Sequence, residues 1–372
     1  MRLFRQAGGD QDRGAFGTVK PMQFKDLEIA MTAAASLVSP WDATTLTLVK
    51  PLMDATRNHG QVLLMKDTTH DNREVAVRRM PTRWVRSGPK EFDEKYPTSS
   101  EKPWHDVGFV QHLSAVGFPY VCELLGLYRS PEDTYVATAF CRQGDLFSWC
   151  DLDSTPAPGR QREESIMPIA AQIFSGVRWL HELGIAHRNL SLENILLTGA
   201  DSDAKVRIID FGMATLKRFV SNEVRGKHSY QAPEMHMGSE VDTFLVDDFS
   251  LGVMLFALAV QDFPWTSTKK GKCQLFEYVN AFGLRRFCGK RRLQKNQGKF
   301  LIEVFSPSFF ATLDSLLQLT VKGRGCLGES AYQDDVKKKR RSSIWDLGFV
   351  DIADAVLPAQ SGASQTQVDL LV

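Results

Sequence analysis

Two short stretches hold polar side chains of the kinds that do chemistry. One is His187-Arg188-Asn189-Leu190-Ser191-Leu192-Glu193-Asn194, and the other is Asp210-Phe211-Gly212. A carboxylate such as Asp210 is a hard oxygen donor that can accept hydrogen bonds or hold a cation. The histidine and amides upstream of it can donate and accept hydrogen bonds. Asn189 restricts the chemistry open to the first stretch, because an amide is not a useful proton acceptor near neutral pH. A third stretch, Val75-Ala76-Val77-Arg78, ends on a guanidinium, a group that attracts phosphate.

Strands and helices must position these groups. Residues 45–49, 61–65 and 74–78 read as short strands, and polar residues 67–73 read as the hairpin turn between the last two. Residues 120–128 and 134–140 read as two more, with 106–113 as part of a helix. An Ala-rich helix is expected over 24–38, ending near Pro40. Beyond Gly144 the pattern turns helical. Ile169, Ile173, Val177 and Leu180 recur at helical spacing over 166–182, and Gly184 is a plausible stop. Short strands at 195–197 and 206–209 are expected to bracket the first polar stretch, and further helices are expected over 246–260 and 309–319. There is no internal repeat.

The 372 residues suffice for one large domain or two moderate lobes around a substantial core. With 45 Lys and Arg against 44 Asp and Glu, the net charge of +1 argues against a nucleic-acid or membrane-surface partner. The six cysteines lack Cys-x-x-Cys spacing, so reduced buried thiols are expected, not a zinc site or a disulfide framework. The N-terminus lacks the apolar run of a secretory leader. No apolar run reaches the roughly 18 residues of a membrane span, and 251–260 reads as a buried helix. The expected compartment is the cytoplasm, with the nucleus as the alternative. Lys337-Lys338-Lys339-Arg340-Arg341 reads as a solvated turn with Arg341 turned inward, or as a localisation signal.

The two polar stretches resemble the catalytic loop and the metal-binding loop of the eukaryotic protein kinases, and the resemblance runs over roughly residues 44–355. It implies an α+β, bilobal protein-kinase-like fold. A small antiparallel-sheet lobe would span 41–141 and a larger helical lobe 142–355, with the nucleotide between them. Residues 1–40 would be an N-terminal extension and 356–372 a disordered tail, whose last residues Asp369-Leu370-Leu371-Val372 could serve as a C-terminal peptide ligand. ATP and Mg²⁺ are the implied cofactors, and the implied macromolecule is a protein substrate or partner. On this template Asp210 holds magnesium against the β- and γ-phosphates, and Asn194 gives the second metal an amide oxygen. Gly226-Lys227-His228-Ser229-Tyr230-Gln231-Ala232-Pro233-Glu234 resembles the end of the activation segment, with Glu234 expected to pair with Arg341. Asp247 matches a helix aspartate that accepts hydrogen bonds from the catalytic-loop backbone. Thr138 matches the residue that sets the depth of the nucleotide pocket. Ala139, Phe140 and Cys141 match the hinge that meets the adenine, and Val62 and Ala76 match its roof, besides being ordinary strand core.

The catalytic parts depart from the family's pattern. Asn189 stands where the family has the aspartate that accepts the substrate proton. Arg78 replaces a lysine that touches the α- and β-phosphates; it keeps the charge on a larger, planar fork. Its helix partner aligns with Asp106, one methylene shorter than the family's glutamate. Ser191 replaces a lysine beside the γ-phosphate. In the phosphate-covering loop, Gly60 and Val62 fill the last glycine and valine, but Ala55 and Arg57 fill the first two glycine positions, where side chains obstruct close backbone approach. The better-looking Gly14-Ala15-Phe16-Gly17-Thr18-Val19 lies too far upstream and is read as a decoy. The sequence therefore favours a pseudokinase, an ATP-binding regulatory or scaffold module with weak or absent phosphotransfer. The alternatives are an active Ser/Thr protein kinase and a nucleotide-free scaffold.

Overall fold

Alternation along the strands builds the small lobe. In the computed structural model, which describes residues 20–55, 60–152, 154–199, 203–293, 298–333 and 341–351, six strands form one sheet in the order β1-β5-β6-β4-β3-β2. They are β1 (Ser39–Pro40), β2 (Leu46–Ala55), β3 (Gly60–Asp67), β4 (Arg73–Pro81), β5 (Leu124–Arg129) and β6 (Asp133–Ala139). All neighbours are antiparallel except β1, a short parallel addition to β5 that the sequence pattern did not reveal. Successive side chains point to opposite faces. Val75 and Val77 enter an outer cluster with Leu63, Met65 and Tyr135, capped by Trp41 stacked on Tyr135 at 3.8 Å. Ala76 and Arg78, one residue out of phase, face the cleft with Val136 and Thr138. The turn expected over 67–73 closes the β3–β4 hairpin. Asp71 and Asn72 hold positive φ there, which these two residue types tolerate best after glycine.

The helix α1 (Phe24–Ser36) packs along α2 (Pro103–Ala115). Leu27, Met31 and Ala34 of α1 belong to the main core, and a Cβ at Gly108 of α2 would stand 2.6 Å from Met31 Cγ. Glycine at 108 thus sets how closely the helices approach. A backbone hydrogen bond from Met22 N–H to Leu183 C=O (2.8 Å) ties the segment before α1 to the large lobe.

In the large lobe, α3 (Arg160–Glu182) and α4 (Thr243–Val260) carry the core, with α5 (Pro307–Leu316) against α4. Gly184, at φ +78°, ends α3: Ile185 N–H bonds Leu180 C=O and Gly184 N–H bonds His181 C=O, the paired closure that needs a left-handed residue. The length and composition of α4 would allow it to cross a membrane, yet all of it is buried within the lobe. Two short antiparallel strands, β7 (Ile195–Thr198) and β8 (Lys205–Ile208), form where strands were expected, but both follow the first polar stretch and lie between it and the second, not on either side of it. A sheet lobe over a helical lobe is the α+β arrangement anticipated. The 14–19 string, Arg57, residues 337–340 and the tail lie outside the described residues.

Candidate functional site

Asp247 in α4 anchors the loop that carries Asn189. Its side chain is fully buried and accepts from the backbone N–H of His187 (2.6 Å) and of Arg188 (2.8 Å), the role expected for it. His187 fits as one neutral tautomer: Nε2–H donates to Ile209 C=O (3.1 Å), and Nδ1 accepts from Asn189 N–H (3.2 Å). Burial holds its pKa below the usual histidine value, consistent with that form. Its ring packs on Phe211 (centroids 4.9 Å apart), and Phe211 packs on Phe109 of α2. Arg188, at φ +65°, turns away to pair with Glu223 (2.7 Å), which fixes the downstream segment to the loop.

The chemistry-bearing groups converge at the mouth of this frame. The side-chain amide of Asn189 donates through Nδ2 to Asp210 Oδ2 (2.6 Å), while its own Oδ1 is buried without a partner. Asn194 Nδ2 donates to Asn189 C=O (2.7 Å), so the amide oxygen is the end of Asn194 left to act as a ligand. Asp210 sits in the left-handed region (φ +69°). Asp106 lies in the first turn of α2 and bridges the two lobes: Oδ2 accepts from Arg78 Nη2, and Oδ1 accepts from Phe211 N–H (2.7 Å). Burial works against the charge on Arg78. Asp106 leads the carboxylates that outweigh it, with Asp210 and Glu101, and they hold the guanidinium above its ordinary pKa. The shorter acid and the longer base compensate each other's length.

A cleft of about 470 Å³ joins these groups to an apolar compartment. Val62 and Ala76 form its roof with Val136, Thr138 and Ala139 around its inner end, and Leu196 and Ile208 form its floor. Arg78, Asp106, Asn189, Asn194 and Asp210 line its polar end. Cys141, expected at the hinge, is buried behind the cleft wall, and its sulfur meets Cys122. Gly60 also has a packing reason to be glycine: a Cβ there would stand 2.2 Å from Arg79 C=O, so its absence lets the start of β3 lie close beside β4. Ser191 is fully buried and cannot reach out as a lysine would.

Sequence reasoning missed two contributors. Lys227 lines the cleft and pairs with Glu193 (2.8 Å), which places an ammonium near Asn189. Glu101 adds a carboxylate at the polar end. Only the fold brings Lys227 to the cleft, although the match to the activation segment marked its neighbourhood. One pairing needs correction. Glu234 does not pair with Arg341; it takes both arms of Arg324, at 2.5 and 2.9 Å. Arg324 is fully buried and also donates to the carbonyls of Gln318 and Leu245, whereas Arg341 sits one layer out and braces the carbonyls of Val321 and Arg324. The carboxylate goes to the arginine with no access to water, since an unpaired buried cation is the costlier fault.

The donor set fits a nucleotide with magnesium. Asp210 and Asn194 offer hard oxygens, Arg78 and Lys227 offer cations, and the apolar compartment suits a planar ring. Comparisons with known proteins identify the family of the fold. A family model described as a protein kinase domain matches residues 58–331. The chain is 33% identical over 172 residues to calcium-dependent protein kinase 12 of Oryza sativa subsp. japonica, a match covering 45% of this chain and 30% of that protein. It is 27% identical over 275 residues to calcium-dependent protein kinase 33 of Arabidopsis thaliana, covering 72% and 48%. It is 29% identical over 160 residues to serine/threonine-protein kinase kin-29 of Caenorhabditis briggsae, covering 42% and 19%. The chain spans less than half the length of each of these relatives.

Proposed function

This chain belongs to the protein kinase domain family, and from that premise we propose that it is a pseudokinase. On this reading it binds ATP with Mg²⁺ in the interlobe cleft, transfers phosphate weakly or not at all, and acts as a regulatory or scaffold module for a protein partner. The observation that carries this reading is the amide of Asn189, hydrogen-bonded to Asp210 where the family has a carboxylate. Bound magnesium would neutralise charge on the phosphates. Asp210 and Asn194 would hold it, Arg78 would meet the α- and β-phosphates, and Val62 and Ala76 would cover the adenine. The unpartnered Oδ1 of Asn189 is buried, so the amide must turn toward the cleft to accept a hydrogen bond from a substrate hydroxyl; turned so, it orients the hydroxyl but cannot take the proton. A positioned general base contributes about 10²–10⁴-fold, and that factor is what Asn189 removes. Because phosphoryl transfer is largely dissociative, orientation alone leaves residual turnover.

The alternative is an active Ser/Thr kinase, and one arrangement favours it. The Arg78–Asp106–Phe211 bridge is closed, and Lys227 brings a cation into the cleft that Ser191 does not supply.

Thermal denaturation tests the binding half of the proposal, because a ligand selective for the folded state raises Tm by mass action. Millimolar ATP with Mg²⁺ is expected to raise Tm, and Asp210→Ala to abolish the magnesium-dependent part. No shift at saturating nucleotide would favour a nucleotide-free scaffold.

A further inference from the structure

Cys122 and Cys141 stand at the inner wall of the cleft with their sulfurs 3.6 Å apart. Both are buried, and Cys122 also lines the cleft itself. They lie on the irregular segments before β5 and after β6, so neither is locked into a ladder position. One hydrogen bond, Ala139 N–H to Glu123 C=O (3.0 Å), joins the two segments. The remaining cysteines are separate, and no other pair of sulfurs is in contact among the described residues. We propose that Cys122 and Cys141 form a reversible disulfide when a peroxide enters the cleft, making the wall of the nucleotide site a redox-controlled modification site.

The chemistry needs a small two-electron oxidant, and hydrogen peroxide is the class that fits the opening. Either sulfur can donate in this contact, and Arg207 lies close enough to favour negative charge on the pair. The contact with Cys122, helped by Arg207, holds the Cys141 pKa below the usual thiol value against the effect of burial, while the same contact and burial raise that of Cys122. Cys122, the sulfur that lines the cleft, attacks one peroxide oxygen as the Cys141 thiolate takes its proton; the O–O bond breaks, hydroxide leaves and is protonated to water, and Cys122 sulfenic acid remains. The Cys141 sulfur then attacks the Cys122 sulfur; the S–O bond breaks, and the departing hydroxide takes the Cys141 thiol proton as a second water. Two thiols lose two electrons to one peroxide. A disulfide requires the sulfurs at about 2.05 Å, so closing the bond draws the two segments together beside Ala139. That movement narrows the compartment proposed for adenine. This consequence depends on the nucleotide-site proposal, whereas bond formation does not.

Peroxide treatment of the intact chain, alkylation of remaining thiols under denaturing conditions, and tryptic mass mapping test the bond. Cleavage after Arg129 places the two cysteines on separate peptides. The expected product is one cross-linked pair, lighter by two hydrogens than its parts, that separates on reduction and is absent from Cys122→Ser. Recovery of both cysteines alkylated, from protein whose partly exposed Cys273 has been oxidised, would overturn the proposal. A parallel thermal scan with ATP and Mg²⁺ reads the consequence. Oxidised protein is expected to lose the nucleotide shift and regain it on reduction. A cross-link with an unchanged shift would refute the narrowing alone, and a missing shift in fully reduced protein would refute the nucleotide site alone.

Discussion

At the scale of single residues, the site trades a charge for an amide, and the trade has a stability consequence. Asn189 Nδ2 sits 2.6 Å from an Asp210 oxygen. Asn189→Asp would set two carboxylates against each other there, and like charges at that distance cannot both ionise freely. The variant is expected to melt several degrees below the parent without divalent cation and to recover in millimolar Mg²⁺; equal Tm values under both conditions would contradict the pairing. Asp248 is the converse case. It is fully buried beside Asp247 and Glu329, both of its oxygens lack partners, and burial, followed by the Glu329 charge, pushes its pKa well above the usual value. A raised folded-state pKa means the folded chain keeps a proton that the unfolded chain releases, so stability falls as pH climbs from the ordinary aspartate range toward the folded value. Asp248→Asn is therefore expected to stabilise at neutral pH by about 1–3 kcal/mol and to gain little in mild acid, as measured by urea denaturation. His181 runs with the opposite chemistry. Burial opposes its charge, but Asp247 and Glu329 outweigh that and raise it to about 10, so its contribution is complete below its ordinary value of 6.5 and fades as pH rises toward 10.

At the scale of elements, the sequence was most legible where a period or a turn residue left no choice. The out-of-phase pair Ala76 and Arg78, the stop at Gly184 and the 67–73 turn all arise from local chemistry that a single sequence records. Longer-range matches were uneven. Asp247 landed on the loop backbone because a short motif fixes it, but the partner of Glu234 lay outside any motif, and the choice between Arg324 and Arg341 depends on which layer the chain folds into. Lys227 and Glu101 were hidden for the same reason: nothing local brings them to the cleft. The corrected pair makes a direct comparison possible. Arg324→Ala strands a buried carboxylate and is expected to cost about 3–5 kcal/mol. Arg341→Ala removes only hydrogen bonds to carbonyls and is expected to cost about 1 kcal/mol, so equal losses in denaturant titrations would argue against the assignment.

At the scale of the molecule, the small lobe depends on residues N-terminal to its sheet. Asp106 rides on α2, and α2 is backed by α1, which the sequence had placed in an extension. A chain beginning at residue 41 is expected to melt well below the parent and to lose its nucleotide response, because α2 no longer holds Asp106 against Arg78 and Phe211 N–H. An unchanged melting profile would contradict that dependence. The molecule as a whole has a kinase frame in which Asp247 and Glu234 keep their buried partners, and an amide, Asn189, stands at the position matched to the family's proton acceptor. The rate of γ-phosphate transfer from ATP with Mg²⁺ to a protein or peptide hydroxyl, compared between the parent and the Asn189→Asp, Arg78→Lys double variant, tests that view most directly. The predicted result is a parent slower than the double variant by about 100-fold or more, with Asp210→Ala inactive in both backgrounds. A parent as fast as the double variant, with activity still lost on Asp210→Ala, would contradict it.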